Sequence, residues 1–141
     1  MSDQDRARAC ADAMWAEDLA SQRLGMVLES VAPGAAVLSM EITPAMVNGH
    51  GTAHGGYIFA LADSAFAFAC NTHDQRTVGQ QAAITYLAPA FAGDRLTATA
   101  TERARQTRSG LYDVTVTNQN GTHIAEFRGH SRTVKGRLLG D

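Results

Sequence analysis

Cysteine is scarce in this chain of 141 residues, which contains only Cys10 and Cys70. Two thiols in apolar, helix-like contexts do not make the disulfide framework of a small secreted protein. The first residues also lack the basic, apolar and small-residue pattern of a secretion signal. We therefore expect both thiols to be small core residues of a cytoplasmic protein.

Charge is also in short supply, because charged residues make up 18% of the chain and hydrophobic residues 45%, with a net charge of −2. The arginines are scattered among acids and form no basic stripe, which excludes nucleic acid as a partner. The shortage of charge instead indicates that part of the surface is buried against other copies of the chain.

Long hydrophobic runs are absent as well. The most apolar segment, Gly55–Cys70, has 16 residues with Asp63 at its centre and no basic flanks. A membrane-spanning helix needs about 20 apolar residues. The segment is therefore predicted to be a core helix, and no membrane partner is expected.

The patterns that are present follow one another along a single domain, 1–141, without repeats, linkers or a break in composition. Apolar residues at helical spacing predict an amphipathic helix over about 4–24, with an apolar face of Ala7, Cys10, Ala11, Met14, Trp15 and Leu19. Two strands around the Pro33-Gly34 turn, a central helix over about 54–72 and four further strands follow. This order predicts an α+β fold in which a curved antiparallel sheet wraps the central helix.

Asp63 is the only formally charged residue from Ile42 to His73. Its neighbours three and four residues away on a helix are apolar and cannot pair with a carboxylate: Phe59, Ala60, Phe66 and Ala67. An unpaired charge in an apolar interior has a raised pKa, or it draws donors or water from elsewhere in the fold. Asp63 is therefore either a buried structural carboxylate bonded to another segment or a functional group in a cleft.

The pair Gly55-Gly56 opens the central helix with backbone N–H groups that no side chain crowds. Such groups attract an oxygen that carries negative charge, and a carboxylate nearby adds the second part that acyl transfer requires. Asp63 lies eight residues after Gly55, a rise of about 12 Å, so the two cannot touch one carbonyl group. If they share a substrate, they come from two subunits, which predicts an active site at a dimer interface.

Three polar residues precede the helix in a glycine-rich loop: Asn48, His50 and His54. Each can hold a carbonyl or orient a water, and each can equally be a turn residue or cap. A zinc site is not expected, because His50 lies in an irregular loop and the other candidate ligands are spread along the helix. A serine triad is not expected either, because Ser64 has no histidine and aspartate partners in order.

These residues carry a resemblance to a known family. The segments NGHGTAHGGYIFALADSAFAFACN, AITYLAPAFAGDRLTATA and GLYDVTVTNQNG are similar to those of hotdog-fold acyl-CoA thioesterases, in particular the phenylacetate-degradation (hydroxyphenylacetyl-CoA) thioesterases. The resemblance covers about residues 5–133. It implies a hotdog fold, with a central helix inside an antiparallel sheet, and homodimers with shared active sites that usually pair into homotetramers.

By this resemblance, Asp63 is the catalytic carboxylate, as nucleophile or as general base for water. The Gly55 N–H of the neighbouring subunit polarises the thioester carbonyl, and His54 and Asn48 orient the thioester or the water. The implied reaction is hydrolysis of an aryl-acyl-CoA thioester, of the hydroxyphenylacetyl-CoA or phenylacetyl-CoA type, to the free acid and CoA. No metal or redox cofactor is implied.

The residues expected to bind the substrate are Gly56 at the helix N-terminus, Phe59 and Phe66 for the acyl group, and Thr107, Arg108 and Ser109 for the CoA phosphates. Aromatic residues on a buried helix are also ordinary core, and an exposed hairpin turn needs no ligand. Some relatives have a Ser or Thr hydroxyl on the strand after the helix, where this chain has Gly79-Gln80-Gln81. Either an amide replaces that hydroxyl or its role is absent.

Three other functions occur on this type of fold. A general medium-chain acyl-CoA thioesterase would use the same carboxylate. A dehydratase needs a histidine and an acid for α-proton removal, and the helix interior offers Asp63 without a histidine. A non-catalytic acyl-CoA-binding protein of the regulatory kind usually carries a DNA-binding segment, for which this chain has no room.

Overall fold

The computed structural model describes residues 1–140, so the final residue of the predicted domain, Asp141, lies outside the described residues. The helices are α1 (Asp3–Glu17), α2 (Leu19–Arg23) and α3 (Gly55–Cys70), and a 3₁₀ turn spans Pro44–Met46. The strands are β1 (Val27–Ala32), β2 (Ala35–Glu41), β3 (Thr77–Tyr86), β4 (Arg95–Arg105), β5 (Ser109–Thr117) and β6 (His123–Thr133).

The six strands form one antiparallel sheet in the order β1-β2-β4-β5-β6-β3. Helix α3 packs mainly against the central strands β2, β4 and β5. Its buried side chains include Leu61, Ala65 and Phe68. The predicted α+β architecture, a sheet around one apolar helix, is confirmed.

The N-terminal helix differs from the prediction, because the segment 4–24 forms two helices with a break at Asp18. The Asp18 side chain accepts hydrogen bonds from the N–H (3.0 Å) and the hydroxyl (2.7 Å) of Ser21, which starts a second helix in a new direction. The apolar face predicted for one continuous helix therefore does not reach Leu19. Ala7 and Cys10 are buried, but Leu19 is 58% exposed.

Helix α3 ends at a polar clamp on the following strand. The Asn71 side-chain NH₂ donates to the carbonyls of Ala67 and Thr77, both at 2.9 Å, and its oxygen accepts the Thr77 N–H, also at 2.9 Å. These bonds satisfy a helix-terminal carbonyl and fix where β3 begins relative to α3.

Strand β3 is an open edge of the sheet. It pairs with β6 on one side, and its other side has no strand partner within residues 1–140. The opposite edge, β1, is different because α1 packs against it. Two apolar side chains of β3, Val78 and Tyr86, are 47% and 49% exposed, and Leu87 just after the strand is 54% exposed. An uncovered strand edge with apolar side chains is a surface suited to pairing with another strand.

Phe66 is the point where α3 meets this part of the sheet. Its ring is 1% exposed and lies 5.7 Å from Tyr112 and 5.8 Å from Phe127, measured between ring centroids. A Cβ atom added to Gly129 or Gly79 would lie 2.8 Å or 3.1 Å from the Phe66 ring. Glycine on β3 and β6 therefore makes the space that this ring fills.

The described residues contain no helix that is both long and apolar enough to cross a membrane. The prediction of a core helix for Gly55–Cys70 agrees with its position under the sheet.

We predict that Gly129→Ala lowers the free energy of unfolding by about 1–3 kcal/mol, because the new methyl group overpacks against a ring that Tyr112 and Phe127 hold in place. Urea denaturation followed by circular dichroism measures the change. Gly49→Ala is the matched control, because no atom lies within 4 Å of a Cβ at that position. Equal stability of the two variants would contradict this account of the packing.

Candidate active site

The loop that leads into α3 is fixed by backbone hydrogen bonds to two separate segments. The Ala53 N–H donates to the Ala90 carbonyl at 2.8 Å, and the His54 N–H donates to the Met46 carbonyl at 2.7 Å. Because Ala90 is far from Ala53 in sequence, the first of these bonds makes the position of the helix N-terminus depend on the tertiary structure.

One backbone donor at this N-terminus remains unused. The Gly56 N–H donates to Nδ1 of His54 at 2.9 Å, and the Tyr57 N–H donates to the His54 carbonyl at 3.0 Å. The Gly55 N–H, which precedes both of them, has no acceptor within residues 1–140. A free N–H at a helix N-terminus is suited to an oxygen that carries negative charge. The Gly56 N–H, by contrast, is already occupied.

Two polar side chains of the loop, His54 and Asn48, accept hydrogen bonds from the local backbone. His54 is the N-cap of α3, and because its Nδ1 accepts a hydrogen bond, the neutral ring carries its proton on Nε2. The Asn48 side-chain oxygen accepts the N–H groups of His50 at 2.9 Å and Thr52 at 3.3 Å. Its NH₂ group has no partner in the described chain and remains available as a donor.

A cleft of about 480 Å³ opens beside Gly55. Its walls are mostly apolar and consist of Thr52, Ala53, Gly55, Ile58, Tyr86, Leu87, Ala88, Pro89 and Ala90. The free N–H therefore borders a space that favours an apolar group.

Asp63 lies on the side of α3 that the sheet leaves open. The prediction of burial in an apolar interior is wrong for the protomer, because Asp63 is exposed at the mouth of a second cleft, of about 270 Å³. The carboxylate has no hydrogen-bond or ion-pair partner among residues 1–140, which also removes the alternative of a structural pairing within the protomer. Partial desolvation by the cleft walls raises the pKa of the Asp63 carboxyl above its ordinary value.

The second cleft contains the segment that departs from the family pattern. Besides Asp63, its walls are Phe66, Ala67, Gly79, Gln80, Gln81 and Ala82. The pairing of β3 with β6 slips between Gly79 and Gln81, which leaves Gln80 as a bulge residue without a cross-strand partner. A bulge beside a functional group re-aims side chains at the site. Both glutamines thus line the same cleft as Asp63, and an amide in place of the hydroxyl remains a prediction.

The two clefts are separate within one protomer. No residue lines both of them. Gly55 and Asp63 lie on one helix, about 12 Å apart along its axis. A single protomer therefore presents the donor and the carboxylate in two separate clefts.

Comparisons with known proteins identify the family. The model of the thioesterase superfamily matches residues 50–125. The acyl-coenzyme A thioesterase PaaI of Escherichia coli (strain K12) is 42% identical over 131 residues, which are 93% of this chain and 94% of that protein. The chain belongs to the thioesterase superfamily.

Solved structures agree with this assignment. The E. coli PaaI protein from the phenylacetic acid degradation operon matches with a TM-score of 0.95 and 41% identity, covering 96% of this chain and 99% of that one. A Streptococcus mutans UA159 protein bound to acetyl-CoA matches with a TM-score of 0.76 and 28% identity, covering 79% and 90%. The hotdog fold and the thioesterase class expected from the sequence are confirmed.

The aromatic residues predicted for acyl binding in this thioesterase differ in position. Phe66 forms the inner wall of the Asp63 cleft but is almost completely buried. Phe59 packs edge-to-face on Phe127, with ring centroids 5.4 Å apart, and lines neither cleft. Both remain predictions as substrate contacts, and their packing alone accounts for them as core.

The turn predicted to meet the CoA phosphates lies at the other end of α3. Thr107, Arg108 and Ser109 are exposed in the β4–β5 connection. Ser109 lines a small cavity together with Cys70, the last residue of α3. Within one protomer, this turn and the Gly55 N–H are therefore separated by the length of the helix, about 24 Å.

No pattern in the sequence singles out Tyr86. It ends β3, lines the Gly55 cleft and donates from its hydroxyl to the Gly55 carbonyl at 2.8 Å. Its only local signal is a large aromatic residue at the end of a predicted strand, and that signal does not reveal which helix terminus the strand will meet.

We predict that Asp63→Asn raises the free energy of unfolding at neutral pH. The folded-state pKa of Asp63 lies above its unfolded value, so the ionised carboxylate disfavours folding at any pH above the folded pKa. The gain over wild type should shrink as the pH falls through the folded pKa and vanish below the unfolded pKa. Urea denaturation over a pH series measures it.

Asp113→Asn is the matched control with the opposite sign. Arg128 donates to the two Asp113 oxygens at 2.7 and 2.9 Å and, together with Arg103, lowers the pKa of that carboxyl. Asp113→Asn should therefore destabilise the protein at neutral pH, with the difference fading in acid. A loss of stability in Asp63→Asn at neutral pH would contradict the prediction and indicate that donors outside the protomer stabilise this carboxylate.

Proposed function

We propose that this thioesterase hydrolyses aryl-acyl-CoA thioesters of the hydroxyphenylacetyl-CoA or phenylacetyl-CoA type, at sites shared between two subunits. The observation that carries the proposal is the pair of half-sites on α3. One is a free Gly55 N–H beside an apolar cleft, and the other is an unpaired Asp63 carboxylate with a raised pKa in a polar cleft.

The chemistry needs both half-sites at one thioester carbonyl. The Gly55 N–H donates to the carbonyl oxygen as it becomes an oxyanion, assisted by the positive end of α3. Asp63 either removes a proton from a water that attacks the carbonyl carbon or attacks that carbon itself, after which water releases the acyl group. In both routes the C–S bond breaks, CoA leaves as the thiol, and the acid carries the oxygen from water.

The open edge of β3 supplies the means of bringing two half-sites together. Antiparallel pairing of β3 with the β3 of a second copy continues the sheet and covers Val78 and Tyr86. A two-fold axis near Ala83 places Gln80 of one copy opposite Tyr86 of the other. Gln80 lines the Asp63 cleft and Tyr86 lines the Gly55 cleft, so this register joins the two clefts.

Further association into a homotetramer is part of the proposal, because Thr107, Arg108 and Ser109 lie far from Gly55 in their own protomer. The Arg108 side chain has no ion-pair partner in the described part of the chain and is free to meet a CoA phosphate bound at another subunit.

An aryl acyl group suits the cleft beside Gly55. Leu87, Ala88, Pro89 and Ala90 give it a broad apolar wall, and Ile58 closes its inner side. The E. coli relative in the phenylacetic acid degradation operon supports the same substrate class.

A steady-state panel of acyl-CoA substrates tests the substrate class. Phenylacetyl-CoA and hydroxyphenylacetyl-CoA should give higher kcat/KM values than acetyl-, octanoyl- and palmitoyl-CoA, with thiol release as the readout. Asp63→Asn should lower kcat at least about 100-fold while still binding CoA, because it loses the nucleophile or base. Asp113→Asn, whose carboxylate lies outside both clefts, should keep wild-type kcat.

Three outcomes of this panel would count against the proposal. A preference for octanoyl-CoA would indicate a general medium-chain thioesterase. CoA binding without thiol release from any substrate would indicate a non-catalytic acyl-CoA-binding protein. Near-wild-type hydrolysis by Asp63→Asn would remove Asp63 from the mechanism.

Co-expression of two differently tagged inactive subunits tests the shared site. Gly55→Pro removes the free N–H at the first position of α3 and also displaces the Tyr86 ring of the same cleft, and Asp63→Asn removes the carboxylate. Each mixed dimer then contains one intact site and one doubly defective site. A random mixture should recover about one quarter of wild-type activity, since half of the dimers are mixed and each has one working site in two. No recovery from purified mixed dimers would place the whole site in one protomer.

A further inference from the structure

The Tyr86 side chain contacts Gly55 at the start of α3. Its hydroxyl donates to the Gly55 carbonyl at 2.8 Å. That oxygen is also the acceptor of the first helical N–H, from Phe59, so the phenol uses its second lone pair. Burial raises the pKa of the Tyr86 phenol above its ordinary value, and the hydroxyl therefore stays protonated as a donor at neutral pH.

The ring of Tyr86 also makes glycine necessary at position 55. A Cβ added to Gly55 would lie 2.9 Å from both Cζ and Oη of Tyr86 and 3.3 Å from Cε1. The three nearest atoms to this Cβ thus all belong to one side chain. The phenol rests against the Cα of Gly55 and bonds its carbonyl at the same time.

Other groups fix the neighbours of Gly55, and Tyr86 supplies a side-chain contact at Gly55 itself. His54 is held through its N–H and through its carbonyl, which accepts the Tyr57 N–H, and Gly56 is held by the His54 ring. Gly55 has neither a side chain nor a partner for its N–H within residues 1–140. Glycine is the residue with the most backbone freedom, and the Tyr86 contacts with its Cα and carbonyl limit rotation about the N–Cα bond next to the donor.

We propose that Tyr86 is a positioning residue that holds the Cα and the carbonyl of Gly55 and thereby helps to aim its N–H at the thioester oxyanion. The proposal rests on the proposed function and adds a residue that acts through Gly55. A donor aimed in advance stabilises the transition state without reorganisation, whereas a loosened donor loses that effect. Tyr86 therefore acts on kcat more than on substrate binding.

The first test is Tyr86→Phe, which keeps the ring and removes the hydroxyl. With phenylacetyl-CoA, kcat should fall about tenfold while KM stays within about twofold, because a displaced donor weakens oxyanion binding and leaves the clefts intact. The melting temperature should stay close to wild type. An unchanged kcat, or a loss confined to KM, would overturn the proposal, the latter by making Tyr86 a plain acyl contact.

Tyr112→Phe is the matched control. Its hydroxyl donates to Glu102 at 2.9 Å, lies outside both clefts and belongs to a buried residue. Losing this bond should lower stability and leave kcat unchanged. If Tyr112→Phe lowered kcat as much as Tyr86→Phe, the effect of Tyr86 would be structural and the proposal would fail.

A second readout does not depend on turnover. In ¹⁵N-glycine-labelled protein, the Gly55 amide resonance should shift in Tyr86→Phe and remain in place in Tyr112→Phe. Gly55→Ala tests the steric contact between position 55 and the Tyr86 ring. It should lower kcat strongly when Tyr86 is present, and the loss should be several-fold smaller in a Tyr86→Ala background. Equal losses in both backgrounds, or an unmoved Gly55 resonance, would overturn the positioning role.

These experiments distinguish a failure of the proposed function from a failure of the proposed role of Tyr86. A wild-type protein that releases no thiol from any acyl-CoA would overturn both the proposed function and the role built on it. An active wild type with a fully active Tyr86→Phe variant would overturn the role of Tyr86 alone.

Discussion

The structure depends on covering one apolar helix. Helix α3 buries its apolar side chains against the central strands of the sheet. Exposing these side chains to water would cost free energy. The sheet must curve around the helix to cover it, which leaves one side of α3 open where β3 ends the sheet. Asp63 and Gly55 each line a cleft whose walls include residues of β3. The way the sheet encloses the core helix thus determines where these two clefts open.

At two points of this enclosure, glycine lets an aromatic ring approach the backbone closely. Gly79 and Gly129 let strands pass over the Phe66 ring, which anchors the middle of α3. Gly55 lets the Tyr86 ring rest against the start of the same helix. At both points an aromatic ring fills the space that a Cβ atom would take. The ring, and not the glycine, therefore restrains the backbone there.

A carboxylate that has no partner in its own protomer is consistent with a site completed by a second subunit. Asp63 has a raised pKa and faces Gln80 and Gln81 across a cleft, whereas Asp113 on the outer surface is paired with Arg128 and has a lowered pKa. The contrast separates a carboxylate that stabilises the fold through its ion pair from one that has no such pair in the protomer. The proposed β3 pairing would give the edge strand its missing neighbour and bring the Gly55 cleft of the second subunit to the Asp63 cleft.

The sequence by itself determined the core helix, the four strands that follow it and the isolated charge of Asp63, because hydrophobic period, turn residues and charge are local properties. Strand β4 spans Arg95–Arg105, the segment in which threonine and apolar residues alternate. Only the tertiary structure decided that Asp63 is exposed, that the N-terminal helix breaks at Asp18, and that Gly55 keeps a free N–H under the Tyr86 ring. Each of these depends on which distant segments lie side by side, and Tyr86 stands 31 residues from Gly55, a contact that no local pattern encodes.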